Sequence, residues 1–401
     1  MLDLISNISI EEYDYSLPEQ KIAKYPAENR SDSRLLICKR AGFLSDCMTS
    51  DLGDYLPYDS LLVFNQTKVL HARLHFKKET GGAVEIFCLE PANGTDPQVA
   101  LQSKKESVWT CLVGGAKKWK GDPLVLEVDG IKLFAYNQGR VNEHFEICFK
   151  WDANIAFAEL LVLAGELPLP PYLNRKVELS DVGKYQTVFA KDDGSVAAPT
   201  AGLHFTKDLL DSFSSKGVSV DFITLHVGAG TFKPVQASRI GDHQMHAEHI
   251  DVSIESIFNI IEAMGPIIPV GTTSLRTLES LYWFGVLAHL DRLEEELPEL
   301  EQWIAFQNLP NLTLKDSLRA LLGHLDAQGK SRFIGRTQLM IVPGYEFKVA
   351  RGLVTNFHQP KSTLLLIIAA MVGDNWKKMY DHALQHDFRF LSYGDCCFLL
   401  P

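Results

Sequence analysis

The chain has little of what marks several common protein classes. It has no excess of basic charge: 39 Lys and Arg stand against 50 Asp and Glu, a formal net charge of −11. A general nucleic-acid binder needs clustered cations for phosphate contacts, so any RNA surface here must be a local patch. It has no CxxC. The seven cysteines (38, 47, 88, 111, 148, 396, 397) are odd in number and scattered, which fits neither a disulfide framework nor a zinc motif and suits a reducing, cytoplasmic setting. It has no long hydrophobic run: Leu364 to Gly373 is too short to span a bilayer. The acidic start, MLDLISNISIEEYDY, lacks the basic region of a signal peptide. No membrane association is expected, and no repeat or low-complexity tract occurs.

What is present suits two domains. The 401 residues are 46% hydrophobic, enough for sizeable cores. Leu61 to Phe64 reads as a buried strand. Residues 69–150 alternate apolar and polar, as in Ala83 to Cys88 and Gly130 to Tyr136, with turns at TGG, NGTD, GD, DG and NQG. That spacing predicts a small β-barrel. Helical periodicity returns at Ile155 to Gly165, with Gly165 as the C-cap. Helices are predicted at Leu209 to Lys216, Ile254 to Met264, Ser274 to Leu287, Leu364 to Met371 and Trp376 to His386. Strands are predicted at Val218 to Leu225, Ile267 to Val270, Leu339 to Val342 and Phe347 to Val349. The expected fold class is a mixed α/β domain (1–68 and 151–401) interrupted by a small antiparallel β-barrel (69–150). Residues 288–332 read as a surface insertion, and the acids of Asp291 to Glu301 as an exposed helix face.

One stretch stands out. Tyr185 to Thr206 reads YQTVFAKDDGSVAAPTAGLHFT, and Ile223 to Val235 reads ITLHVGAGTFKPV. Glycines that admit close backbone approach, small hydroxyl residues and two histidines suit a polar, nucleoside-sized ligand better than a packed core. His243, His246 and His249 recur every three residues. They do not share one side of a strand and drift around a helix, so no metal site is expected.

That stretch is one of an ordered series. It follows Leu167-Pro168-Leu169-Pro170-Pro171-Tyr172 and Arg175. It precedes His243 to Glu248 (HQMHAE), Val270 to Ser280 (VGTTSLRTLES), Pro343-Gly344-Tyr345, Thr355 to Leu364 (TNFHQPKSTL) and Ser392-Tyr393-Gly394-Asp395. With Ser33 to Leu36, Val63 to Asn65, Ala72 to Leu74 and Thr80 to Gly82, the set resembles the S-adenosylmethionine:tRNA ribosyltransferase-isomerase family of the queuosine pathway, over nearly the whole chain except about 288–332. The resemblance implies an α/β domain with an inserted barrel. It also implies transfer and isomerisation of the ribosyl group of S-adenosylmethionine onto 7-aminomethyl-7-deazaguanine at the tRNA wobble position, giving epoxyqueuosine, adenine and methionine.

Such a reaction needs a base for the 5′ proton made acidic by the sulfonium, and an acid for departing adenine. The candidates are His204, His226, His246 and His358, with Glu248 and Asp395 as supporting carboxylates. Ser195, Thr200, Gly202, Gly228, Gly230, Thr231, Thr272, Thr273, Ser274 and Asn356 are expected to line the substrate pocket. Arg276 and Arg175 are expected to meet a carboxylate or phosphate. Lys117, Lys118, Trp119 and Lys120 mix cations with an aromatic and are the expected tRNA contact. The implied partners are tRNA and S-adenosylmethionine, the latter as co-substrate with no further cofactor and no metal, and the protein is expected to be a monomer or weak oligomer. Lys68 stands where the family usually has arginine, and Arg351 lies where it usually has an acid. These departures leave a non-catalytic or retargeted paralogue as the alternative.

Overall fold

The computed structural model describes residues 5–78, 80–119, 121–228, 235, 237–294 and 296–401. Its centre is the Leu61–Asn65 strand, whose five residues are all buried. Leu61 and Val63 face one core and Leu62 and Phe64 the other, as expected for a strand covered on both sides. It pairs in parallel with Ser219–His226 on one side and Ile267–Val270 on the other. Leu353–Asn356 extends the parallel group. Antiparallel strands Glu248–Ser253 and Cys396–Leu400 flank the four, within a ten-stranded sheet.

Helices cover both faces. Ile254–Glu262, Thr272–His289, Thr363–Val372 and Asn375–Gln385 bury their apolar residues in the larger core. Lys207–Ser214 contributes Leu209 and Phe213 to the smaller one, against Phe64 and Phe205.

The barrel is a second body of structure. Arg73–Lys77, Ala83–Pro91, Glu106–Gly114, His144–Trp151, Ile131–Val141 and Leu124–Val128 pair antiparallel in that order, and Lys77 meets Val125 to close the ring. The Phe157–Ala164 helix presses Phe157 against Trp109, Phe149 and Trp151, with ring centroids 5.3–5.5 Å apart. Gly165 follows this helix for want of space: a Cβ there would lie 1.9 Å from the His71 carbonyl.

Three expectations are corrected. Leu339 to Val342 is fully buried but forms no strand. The Leu339 N–H goes to the Thr337 hydroxyl and the Met340 N–H to the Gln302 carbonyl, so an apolar run is pinned without a ladder. Phe347 to Val349 is no strand either, because the amides of Lys348, Val349 and Ala350 all donate to the buried Glu279 carboxylate, at 2.8–3.0 Å. The segment 288–332 is more than a surface appendage. Its Leu314–Ala327 helix buries Leu318, Leu321 and Leu325 in the main core against Thr272–His289, while the acids sit on an irregular connector and the short Glu299–Leu300 strand.

Candidate functional site

The motifs scattered along the chain meet because strands end there. Asn65, His226, Val270 and Asn356 are the carboxyl-terminal residues of the four parallel strands. The antiparallel neighbours enter from the same edge, with Glu248 opening one and Asp395 preceding the other. In chain order the second parallel strand lies on one side of Leu61–Asn65 and the third on the other. Such a reversal opens a crevice outside the carboxyl ends, the usual ligand position in open α/β sheets.

A cleft of about 710 Å³, counted to its mouth, occupies this position. Thr200, Thr272, Thr273, Asn356 and His358 line it, together with Tyr172, Ala197 to Pro199, Thr355, Leu391 and Ser392. Gly271 takes φ +93° before the Thr272–His289 helix, and no side chain caps that helix. Its first amides therefore face the cleft as an anion-attracting end. Leu391 takes φ +69°, unusual for a branched apolar residue. It is held by its N–H on the Phe357 carbonyl and by the Asn356 amide on its own carbonyl.

A hydrogen-bonded relay runs inward from the cleft. The Thr200 hydroxyl donates to Asn356 Oδ1 at 3.0 Å, and Asn356 Nδ2 donates to His204 Nε2 at 2.9 Å. The His204 proton then sits on Nδ1, which meets Ser33 Oγ at 2.8 Å, and Ser33 meets Thr49. His358 lines the cleft directly, with Nε2 2.9 Å from the Thr355 hydroxyl. His226 lies outside this cleft. It lines a neighbouring crevice between barrel and sheet, with Nδ1 2.9 Å from Thr67 Oγ1. Burial lowers all three imidazoles to about 3, with Arg389 and Arg30 adding to the effect at His204 and His249 at His226. They are neutral at physiological pH, not poised near it. His246 is exposed and lines neither cavity.

Several candidates build the walls instead of facing the ligand. Ser195 Oγ donates to the Ala197 carbonyl and accepts from the Val227 amide. Ser274 Oγ donates to the Val270 carbonyl. Gly202 is a packing residue, since a Cβ would meet Phe189 and Thr187 at 2.9 Å. Asp395 accepts the amides of Arg34 and Arg389, tying the Ser33 turn to the loop before Tyr393. Gly228 lines the barrel-side crevice. Gly230, Thr231 and Lys120, with the side chain of Lys118, lie outside the described residues.

Both arginines expected to meet an anion already have one. Arg175 grips Asp181 through two bonds of 2.7 Å and lies over the Tyr25 ring. Arg276 is buried against Glu248, with further bonds to the Leu339 and Thr337 carbonyls. Removing one partner of such a pair strands a buried charge. Glu248→Ala is therefore expected to cost about 3–5 kcal/mol by denaturant unfolding, and a loss below about 1 kcal/mol would mean the pair is not held in this way. The expected tRNA contact is likewise revised. Lys117 is exposed, but Trp119 is packed in the barrel core with its indole N–H on the Asp122 carbonyl, so its ring offers no stacking face.

A family model described as queuosine biosynthesis protein matches residues 10–399. The chain belongs to this family. It is 35% identical over 394 residues to the S-adenosylmethionine:tRNA ribosyltransferase-isomerase of Treponema denticola, covering 97% of this chain and 99% of that one. It is 35% identical over 396 residues to the protein of the same name from Trichlorobacter lovleyi, covering 98% and 99%. A crystal structure of the S-adenosylmethionine tRNA ribosyltransferase of Thermotoga maritima aligns over 97% of this chain and 100% of that one, with 27% identity and a TM-score of 0.47.

The departures at Arg351 and Lys68 line neither the cleft nor the barrel-side crevice. Arg351 is exposed, and its amide bonds the Ile267 carbonyl at the start of its strand. It is thus at the amino-terminal end of the parallel strands, opposite the end at which Asn356 sits. Lys68 is paired with Asp193 at 3.1 Å. Sequence reasoning also missed residues that the cavities use: Tyr172, whose hydroxyl meets Ser392 Oγ at 2.5 Å, and His249, which appeared only as part of a rejected metal pattern.

Proposed function

We propose that this protein is a tRNA-modifying enzyme. It transfers the ribosyl group of S-adenosylmethionine to 7-aminomethyl-7-deazaguanine at the wobble position and isomerises it to the epoxycyclopentane of epoxyqueuosine, releasing adenine and methionine. S-adenosylmethionine is its co-substrate, and no further cofactor is invoked. Family membership supports the reaction class. The observation that carries the reading is the convergence of His358, Asn356, Thr200 and the Thr272–Thr273 helix start on one cleft at the carboxyl ends of the parallel strands.

The proposed roles follow from position. The helix start takes the methionine carboxylate, by its dipole and open amides. Thr200 and Asn356 bind sugar hydroxyls, and His204 holds the Asn356 amide in orientation. His358 is the proton carrier. Its burial keeps the ring neutral and able to accept the 5′ proton, and the same burial makes its protonated form a strong transient acid toward departing adenine.

The test is incubation with S-adenosylmethionine and tRNA carrying the aminomethyl base. Adenine and methionine should appear in equal amounts, with a mass gain on that nucleoside. Release of a methylated nucleoside instead, or tight binding of both substrates with no adenine at any pH from 6 to 9, would reject the reading.

A further inference from the structure

A second cavity adjoins the cleft and has no role in the account above. It is a crevice of about 830 Å³ between the barrel turn that follows Ala83–Pro91 and the sheet edge at His226 and Glu248. The two cavities share Val227 as a common wall. A group transfer needs its donor and acceptor side by side, and these are adjoining spaces.

The crevice has a flat wall. The imidazoles of His226 and His249 stack with centroids 5.7 Å apart and planes 24° from parallel. Gly194 fits against this wall because a Cβ would lie 2.6 Å from His226 Cε1. Both rings are kept neutral by burial. Among the described residues neither nitrogen of His249 has a hydrogen-bond partner, although both are shielded from solvent. The Asp96 carboxylate is 3.9 Å from Nε2, too far for a hydrogen bond. An imidazole held dry with both nitrogens idle is unfavourable unless a ligand completes it. At the opening stands Glu90, with Arg336 3.7 Å from it. That rim suits a primary ammonium group, while the walls suit a planar, uncharged heteroaromatic ring.

We propose that this crevice receives the acceptor nucleobase of the tRNA, with the His249 ring turning to hydrogen-bond its edge and Glu90 holding its aminomethyl group. The assignment rests on the functional reading above. It adds a specificity pocket built jointly by the barrel and the sheet, and it gives the barrel a role in selecting the base. His249 is a recognition residue in this scheme, and donor binding belongs to the neighbouring cleft.

Binding measurements separate this proposal from the reading on which it rests. The dissociation constant is measured for tRNA carrying the aminomethyl base and for the same tRNA with an abasic wobble position, both without donor. Stacking plus edge contacts should make the first roughly tenfold or more tighter for the wild-type protein. His249→Ala should reduce that ratio to about twofold, and His249→Gln, which keeps hydrogen-bonding groups, should retain most of it. Glu90→Gln, a surface change that leaves the core untouched, should lower the preference for the aminomethyl base over guanine. Calorimetric affinity for S-adenosylmethionine should change less than about twofold in all three. A wild-type ratio near one overturns the proposal. So does an unchanged ratio in folded His249→Ala, or a loss of donor affinity in its place. If the ratio behaves as expected but the wild-type protein releases no adenine, the crevice assignment stands and the catalytic reading falls.

Discussion

Replacing His358 by glutamine is expected to lower the rate of adenine release by about 10²–10⁴-fold, the range supplied by one placed proton carrier. Of the three buried imidazoles, His358 is the one that lines the cleft directly. Its ring can be changed without dismantling the wall, because its backbone is held independently. The His358 N–H donates to the Tyr380 hydroxyl at 3.0 Å, and the Tyr15 hydroxyl donates to its carbonyl. The ring's hydrogen bond to Thr355 contributes about 1 kcal/mol, which for a chain of 401 residues moves the melting midpoint by roughly 1–2 °C. The loss should therefore fall on kcat with little change in the KM for donor, the signature of an interaction made in the transition state. His246→Gln is the control. That side chain is exposed and lines neither cavity, and its rate should stay within about twofold of wild type. Equal effects from the two substitutions, or a His358→Gln enzyme keeping more than about a tenth of its kcat, would remove His358 from the chemistry.

How far the sequence revealed this site depended on the kind of signal each residue left. The strand Leu61–Asn65 and the barrel hairpins were readable because burial on two faces or one writes a continuous or alternating apolar pattern. Thr200, Thr272, Asn356 and His358 were readable as members of long motifs, and the parallel strand ends gather them. What stayed hidden is the partner each polar side chain chooses. Nothing local distinguishes an arginine facing a ligand from one facing Asp181 or Glu248, so Arg175 and Arg276 looked like anion sites. Lys117 to Lys120 looked like an RNA patch because the inward turn of Trp119 depends on where the barrel closes. Leu339 to Val342 looked like a strand because an apolar run does not record whether its amides find a ladder or a side chain. The stripe Leu318, Leu321, Leu325 was present at helical spacing, but the acids before it drew the segment toward the surface reading. His249 carries no distinguishing pattern at all. Its place follows from the register that sets it beside His226.

The buried histidines that organise this site should also make the protein acid-sensitive well above the carboxylate range. His204, His226 and His358 are each held near 3 by burial, whereas in the unfolded chain they titrate near 6.5. Below that value the unfolded state takes up protons that the folded state refuses, so stability is full above about pH 6.5 and is lost as pH falls toward 3. Since the unfolded imidazole is already half protonated at pH 6.5, each histidine contributes about 1 kcal/mol between pH 6.5 and 5.5, and the three together about 3 kcal/mol. At this chain length that is a fall of roughly 3–4 °C in the melting midpoint. His71, His243 and His249 are shifted in the same direction, chiefly by burial, and steepen the trend. Asp251 and Glu279 oppose it: burial raises both, so the fold binds their protons earlier than the unfolded chain does. Calorimetry from pH 7.5 to 5.5 should show the decline, and His226→Gln should reduce its slope by about a third of the three-histidine term. A midpoint flat across that interval would mean that these imidazoles accept protons in the folded state, and with it the neutral resting form assigned to His358 would be lost.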